Sequence, residues 1–165
     1  VARYDRINDE WLTTWDSSSA SSLVPSNDIT TLIPDRQQHR IWIGGDFGVR
    51  LIDLNNQTMI ASFSQSGGQG DPGELVIIGN VLYYSEVRAG TSSNDNVYRY
   101  DLDYMTTLSS LDAGSRINQN GLVYGIGEGP DGMLWIGVTP FGWFGLAAGI
   151  TARWDHANGT WARNL

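Results

Sequence analysis

Arg99-Tyr100-Asp101 recurs along the chain as Arg3-Tyr4-Asp5, Leu51-Ile52-Asp53 and Arg153-Trp154-Asp155. The spacing from Asp to Asp is 48, 48 and 54 residues. Asn8, Asn56 and Asn158 stand at one offset beyond the Asp, followed by Trp11, Met59 and Trp161. A second block lies upstream in three of the copies: Ile41-Trp42-Ile43-Gly44, Leu82-Tyr83-Tyr84-Ser85 and Leu134-Trp135-Ile136-Gly137. Two separate blocks that agree in order mark an internal repeat.

Each repeat reads as four short strands. In the first complete copy these are residues 29–33, 40–44, 48–54 and 58–63, rich in β-branched and aromatic residues and divided by turn residues. Gly129-Pro130-Asp131-Gly132 before Met133-Leu134-Trp135-Ile136 is the clearest turn, because Pro presets φ and Asp-Gly tolerates positive φ. No helix of any length is expected, since Pro34 closes the one apolar stretch that could open one. Periods of roughly 40–50 residues with four strands each are those of β-propeller blades, which bury their faces on one another. A β-sandwich of duplicated hairpins is the alternative. The expectation is an all-β partial β-propeller: a half-blade over residues 1–16, a connection over 17–27, and blades over 28–64, 65–110 and 111–165.

Ile41-Trp42-Ile43-Gly44-Gly45 with Gly48-Val49-Arg50-Leu51-Ile52-Asp53 resembles the two-component regulator propeller repeat, and Gly132 to Thr139 resembles it again. The middle copy departs, with Tyr83-Tyr84-Ser85 in place of Trp-Ile-Gly. A looser similarity is to the streptogramin-lyase propellers. The first resemblance implies blades that bind or scaffold in extracytoplasmic sensor regions and carry out no chemistry.

Three blades and a half fall short of the roughly four to eight that close a ring. The chain therefore reads as part of a longer protein, as half of a seven-blade ring closed by a second copy, or as a unit of an end-to-end array. It opens on Val1 without a basic-then-apolar leader, which reads as a processed product or an excerpt.

Composition removes several function classes. There are no Cys, which excludes disulfides, thiol nucleophiles and Cys-ligated metals. All ten basic residues are Arg, so lysine Schiff-base and P-loop chemistry is absent. A net charge of −8 argues against nucleic acid as a partner. No run approaches the roughly 18 apolar residues that a membrane helix needs. An acidic, lysine-free surface suits an extracellular, cell-surface or periplasmic setting.

The recurring Asp residues are expected to accept backbone N–H bonds in the turn between strands three and four. Arg3, Arg99 and Arg153, two residues earlier, are expected to brace neighbouring strands through carboxylates. His39 and His156 read as exposed turn residues without metal spacing. No metal or other cofactor is expected. Residues 67–73, rich in Gly with one Asp, read as a connection between blades, with Ca²⁺ coordination a minor reading. Two glycosylation sequons, Asn56-Gln57-Thr58 and Asn158-Gly159-Thr160, fall on equivalent turns, where Asn also suits the turn itself.

The longer last repeat contains an insertion over 140–149 whose Phe141, Trp143 and Phe144 form an aromatic, charge-free stretch. Either these rings fold back over their own blade or they form a contact surface for a protein or a glycan. The half-blade is the second candidate contact. The functional expectation is a non-catalytic repeat module acting in assembly, adhesion or ligand sensing. Its partner is then itself, as a dimer or polymer, or the rest of a longer chain. The alternative is a lyase or hydrolase at the central channel of a completed propeller, which needs a His or carboxylate pair there. Replacing Trp143 and Phe144 by Ser should weaken association, measured by light scattering, while the strand signal in circular dichroism stays unchanged.

Overall fold

The computed structural model describes residues 1–12, 14–18, 23–35, 38–63, 71–87, 96–113, 116, 121–140 and 149–162. Its strands form one two-stranded and three four-stranded antiparallel sheets, the arrangement of a partial β-propeller. Two compact units contain them, Val1–Ser66 and Gly67–Leu165.

The first unit holds a hairpin of β1 (Arg3–Asp5) and β2 (Glu10–Leu12). Its four-stranded sheet runs in chain order through β3 (Ile29–Asp35), β4 (Arg40–Gly45), β5 (Gly48–Asp53) and β6 (Thr58–Phe63). The central strands are covered on both faces, which is why Ile41-Trp42-Ile43 reads as a continuous apolar run rather than an alternating one. Ile43 and Ile52 meet Trp15, Leu23 and Val24, all buried. The Ser-rich connection therefore supplies core residues, two of them beside a stretch that reads as polar. Trp42 is buried and stacks on Phe63 at 5.9 Å. Pro34 lies within β3, which accepts a proline because it is an edge strand.

The second unit has two four-stranded sheets. One contains β7 (Asp71–Ile78), β8 (Val81–Val87), β9 (Asn96–Asp101) and β10 (Thr106–Asp112). The other contains β11 (Gly121–Glu128), β12 (Leu134–Pro140), β13 (Ile150–Asp155) and β14 (Thr160–Trp161). Ile78, Val81, Tyr83 and Val97 from the first sheet share one core with Leu134, Ile136, Ala152 and Trp154 from the second. Asp71, Pro72 and Gly73, read from sequence as part of a connection, belong to β7.

The first strand of every complete sheet shifts register at the same place. Residues 30 and 31 stand opposite Gly44, residues 73 and 74 opposite Ser85, and residues 124 and 125 opposite Gly137. The fourth residue of the repeated Leu-Trp-Ile-Gly block thus faces a β-bulge, which bends and twists the strand. Where the middle repeat has Ser85, its buried hydroxyl accepts a hydrogen bond from the Glu74 backbone N–H at 3.0 Å. Ser85→Ala should leave that donor without its partner and cost about 1–2 kcal/mol, measured by urea denaturation. An unchanged midpoint would mean that the hydroxyl does not hold the bulge.

Candidate functional site

The recurring polar residues converge on the turn after strand three. Asp5 Oδ1 accepts the N–H groups of Ile7 and Asn8 at 2.8 and 3.2 Å, and Asn8 Nδ2 donates to its other oxygen at 2.8 Å. Asp53 repeats this with Asn55 and Asn56 at 2.8 and 3.0 Å, and with Asn56 Nδ2 at 3.1 Å. Asp155 accepts the N–H of Asn158 at 3.0 Å and its Nδ2 at 2.7 Å. Asp101 accepts from Asp103 and Tyr104 at 2.9 and 3.0 Å. The fourth residue after each Asp has positive φ: 57° at Asp9, 53° at Gln57, 53° at Met105 and 64° at Gly159. Only Gly159 adopts this geometry without steric cost, so the Asp bonds must hold the other three turns in a conformation their side chains oppose.

Asn56 and Asn158, the two sequon residues, are thus the side chains that close these turns. Asn8 does the same outside any sequon. The carboxylates of Asp5, Asp53 and Asp155 are correspondingly stabilised as anions. The Ile7 N–H, then Asn8, hold Asp5 below the usual carboxylate range. The Asn56 N–H is foremost for Asp53, and the Asn158 side chain for Asp155.

The arginines use aromatic faces and backbone oxygens more than carboxylates. Arg153 forms the expected brace, with Asp131 at 3.5 Å, and also lies 5.2 Å from the Trp135 ring centre. Arg99 instead donates to Ser109 O and Oγ at 2.7 and 2.9 Å and lies 5.2 Å from the Trp154 ring of the neighbouring sheet. Arg3 lies 4.4 Å from Trp15. Arg50 donates to Leu23 O at 3.1 Å. A planar guanidinium stacks on indole and still reaches a carbonyl, which a strand-pattern argument does not anticipate.

His39 is exposed in its turn, with φ of 51°. His156 is not the exposed residue expected. It is half-buried, and its Nδ1 lies 2.7 Å from the Tyr83 hydroxyl in the adjacent sheet. Tyr83 replaces the motif Trp, and burial raises its pKa. The sequence signal was present in that replacement, but its partner lies 73 residues away. This contact is with a phenol, and not the carboxylate that a channel lyase or hydrolase would need. Among the described residues no group of three His, Asp or Glu is placed to hold a metal ion. Phe141, Trp143 and Phe144 lie outside the described residues, as do residues 67–70.

The open feature among the described residues is the β1–β2 hairpin. Tyr4 and Trp11 are cross-strand partners with ring centres 5.1 Å apart, and they are 44% and 72% exposed. Ile7 beside them is 93% exposed. The Tyr4 hydroxyl donates to Asp9 Oδ1.

Residues 24–47, from the buried Val24 through β3 and the Ile41-Trp42-Ile43-Gly44 block, match the two component regulator propeller family. The third repeat, which resembles the same pattern by eye, lies outside the matched residues. No curated protein matches the chain in sequence. Among solved structures, the extracellular domain described as that of a hybrid two component system from B. thetaiotaomicron is similar, with a TM-score of 0.65 at 13% identity. The match covers 96% of this chain and 20% of that one. The extracellular domain of a one component system from the same organism gives a TM-score of 0.54 at 15% identity, covering 81% of this chain and 15% of that one. The chain thus spans a fifth or less of these structures. At this identity the likeness establishes the propeller fold.

Asp5, Asp53 and Asp155 have folded pKa values below their unfolded ones. Their contribution is therefore complete above the unfolded carboxylate pKa, about 4, and is lost as pH falls through the folded values. Asp53→Asn and Asp155→Asn should lower stability at pH 6, and the gap to the unmodified chain should narrow as pH falls below about 4. Urea denaturation at a series of pH values reads this. A constant gap would mean that ionisation of the turn Asp contributes nothing.

Proposed function

We propose that the chain is a non-catalytic run of blades from the ligand-sensing propeller of an extracytoplasmic regulator. The observation that carries the reading is the repeat at residues 24–47, which belongs to a family described by two component regulators. The fold likeness to two extracellular domains of such systems points the same way. The use of the recurring residues supports it from within. Asp5, Asp53, Asp101 and Asp155 close turns, and Arg99 and Arg153 join strands and sheets, so the repeated polar groups serve the scaffold. Recognition then falls to surfaces that differ between blades, as loops and open faces do.

This chain contains no Cys, so a Cys introduced into it reports location when the unmodified full-length protein is labelled in parallel as the background. Asn55→Cys, in an exposed turn, is introduced into the full-length protein in its own cells. A membrane-impermeant maleimide should label it on intact cells; labelling only after lysis overturns the extracytoplasmic reading. In the same cells, deleting the blade from residues 29–63 should abolish a transcriptional response to a change of external medium. A transcriptome that responds identically with and without the blade overturns the sensing role.

A further inference from the structure

The four Asp turns differ in the residue that follows the side chain closing them. Asn8 precedes Asp9, Asn56 precedes Gln57 and Asn158 precedes Gly159, while the middle copy has Tyr104 before Met105. The second member of each pair has positive φ, and Gly159, at 64°, is the one without a Cβ. A Cβ built there would meet nothing within 4 Å, so the space beside this residue is open to water. An Asn followed by Gly is chemically labile, because no side chain shields the next amide nitrogen from the Asn carboxamide carbon. Asn120-Gly121 is the other such pair in the sequence.

Deamidation of such a pair begins when the Gly159 amide nitrogen gives its proton to hydroxide and attacks Asn158 Cγ. The N–Cγ bond forms, the Cγ–Nδ2 bond breaks, and Nδ2 takes a proton from water and leaves as ammonia. Water then opens the cyclic imide, at Cγ to leave aspartate or at the main-chain carbonyl to leave isoaspartate. No oxidant or reductant takes part. In the folded turn the reacting groups are tied to Asp155. The nucleophile, Gly159 N–H, donates to Asp155 O at 2.9 Å. The leaving group, Asn158 Nδ2, donates to Asp155 Oδ2 at 2.7 Å, and the Asn158 N–H donates to Oδ1 at 3.0 Å. The Asp155 anion also opposes the negative charge that develops on the Gly159 nitrogen and the Asn158 oxygen during attack.

We infer that Asn158-Gly159 is a site of spontaneous deamidation that the folded turn restrains through Asp155. The restraint acts only while the turn is closed, so conversion accumulates with the time the turn spends open. The product works against its own turn. A carboxylate at position 158 has no N–H to give to Asp155 Oδ2 and repels it across what was a 2.7 Å bond. His156, next to Asp155, reaches the Tyr83 hydroxyl of the adjacent sheet at 2.7 Å, so a loosened turn also loosens the contact between the two sheets. The inference rests on the turn alone and is independent of where the protein resides and of whether it senses a ligand.

The test holds the full-length protein at mildly alkaline pH, with and without denaturing guanidinium chloride. Mass spectrometry of the tryptic peptide Trp154–Arg163 follows the conversion of Asn158, and the peptide that contains Asn56 is followed in parallel. In denaturant Asn158 should convert several-fold faster than Asn56, whose neighbour Gln57 shields the nucleophile. Without denaturant Asn158 should convert roughly tenfold more slowly than with it, the weight of one hydrogen bond to a charged group. Asp155→Ala should remove most of that protection in the native protein, whereas Asp53→Ala, in the equivalent turn of another blade, should leave the Asn158 rate unchanged. Equal rates at Asn158 and Asn56 in denaturant, or an Asn158 rate that denaturant does not change, overturn the inference. So does a folded Asp155→Ala protein whose Asn158 converts no faster than before. Circular dichroism checks the fold of the variants, and if Asp155→Ala unfolds, the comparison with and without denaturant on the unmodified protein decides the question.

Discussion

A sheet whose central strands are apolar on both faces cannot stand in water without a layer on each side. Trp42, Ile43, Leu51 and Ile52 are all at most 2% exposed, although they sit on adjacent strands and point to opposite faces. The same holds for Leu82 and Tyr83, each at 0%. This demand for covering layers drives stacking of one blade against the next. It explains why the second unit has one core drawn from two sheets, and why Trp15, Leu23 and Val24 close over β4 and β5 in the first.

Within a blade, the Asp turn fixes the register of strands three and four. Its carboxylate gathers two backbone N–H groups and, in three copies, an Asn side chain. Those bonds hold a residue four positions on in the left-handed region, even where it is Asp, Gln or Met. The middle copy lacks the Asn and has Tyr104 instead, yet keeps both backbone bonds and the same positive φ. The backbone bonds therefore define the turn, and the Asn reinforces it. A second constraint lies at the bulge on strand one, opposite the small residue of the Trp-Ile-Gly block. That residue is Gly44 or Gly137 in two copies and Ser85 in the third, where its hydroxyl accepts a hydrogen bond from the bulge.

Much of this was readable from the residues. The Asp spacing, the strand boundaries of the first blade and the turn function of the Asp residues follow from local pattern, because strand period and turn chemistry act over a few positions. The partners of Arg99 and His156 do not. Arg99 meets Trp154 and His156 meets Tyr83 across a sheet boundary, and no spacing rule links residues that only stacking brings together. The candidate site divides in the same way. Its Asn and Asp members were visible as a repeated offset, whereas the exposure of Tyr4 and Trp11 depends on which blades have neighbours. Asp71–Gly73 were misplaced because edge strands accept residues that central ones exclude.

The sequence by itself determined that this is an all-β chain of propeller repeats with Asp-locked turns. Those features arise from short-range sterics and hydrogen bonds that each repeat carries within itself. Only the tertiary structure decided which faces the described residues close, and where the arginines and His156 find their partners. Burial is a property of the layer that lies opposite a residue, and that layer comes from another part of the chain.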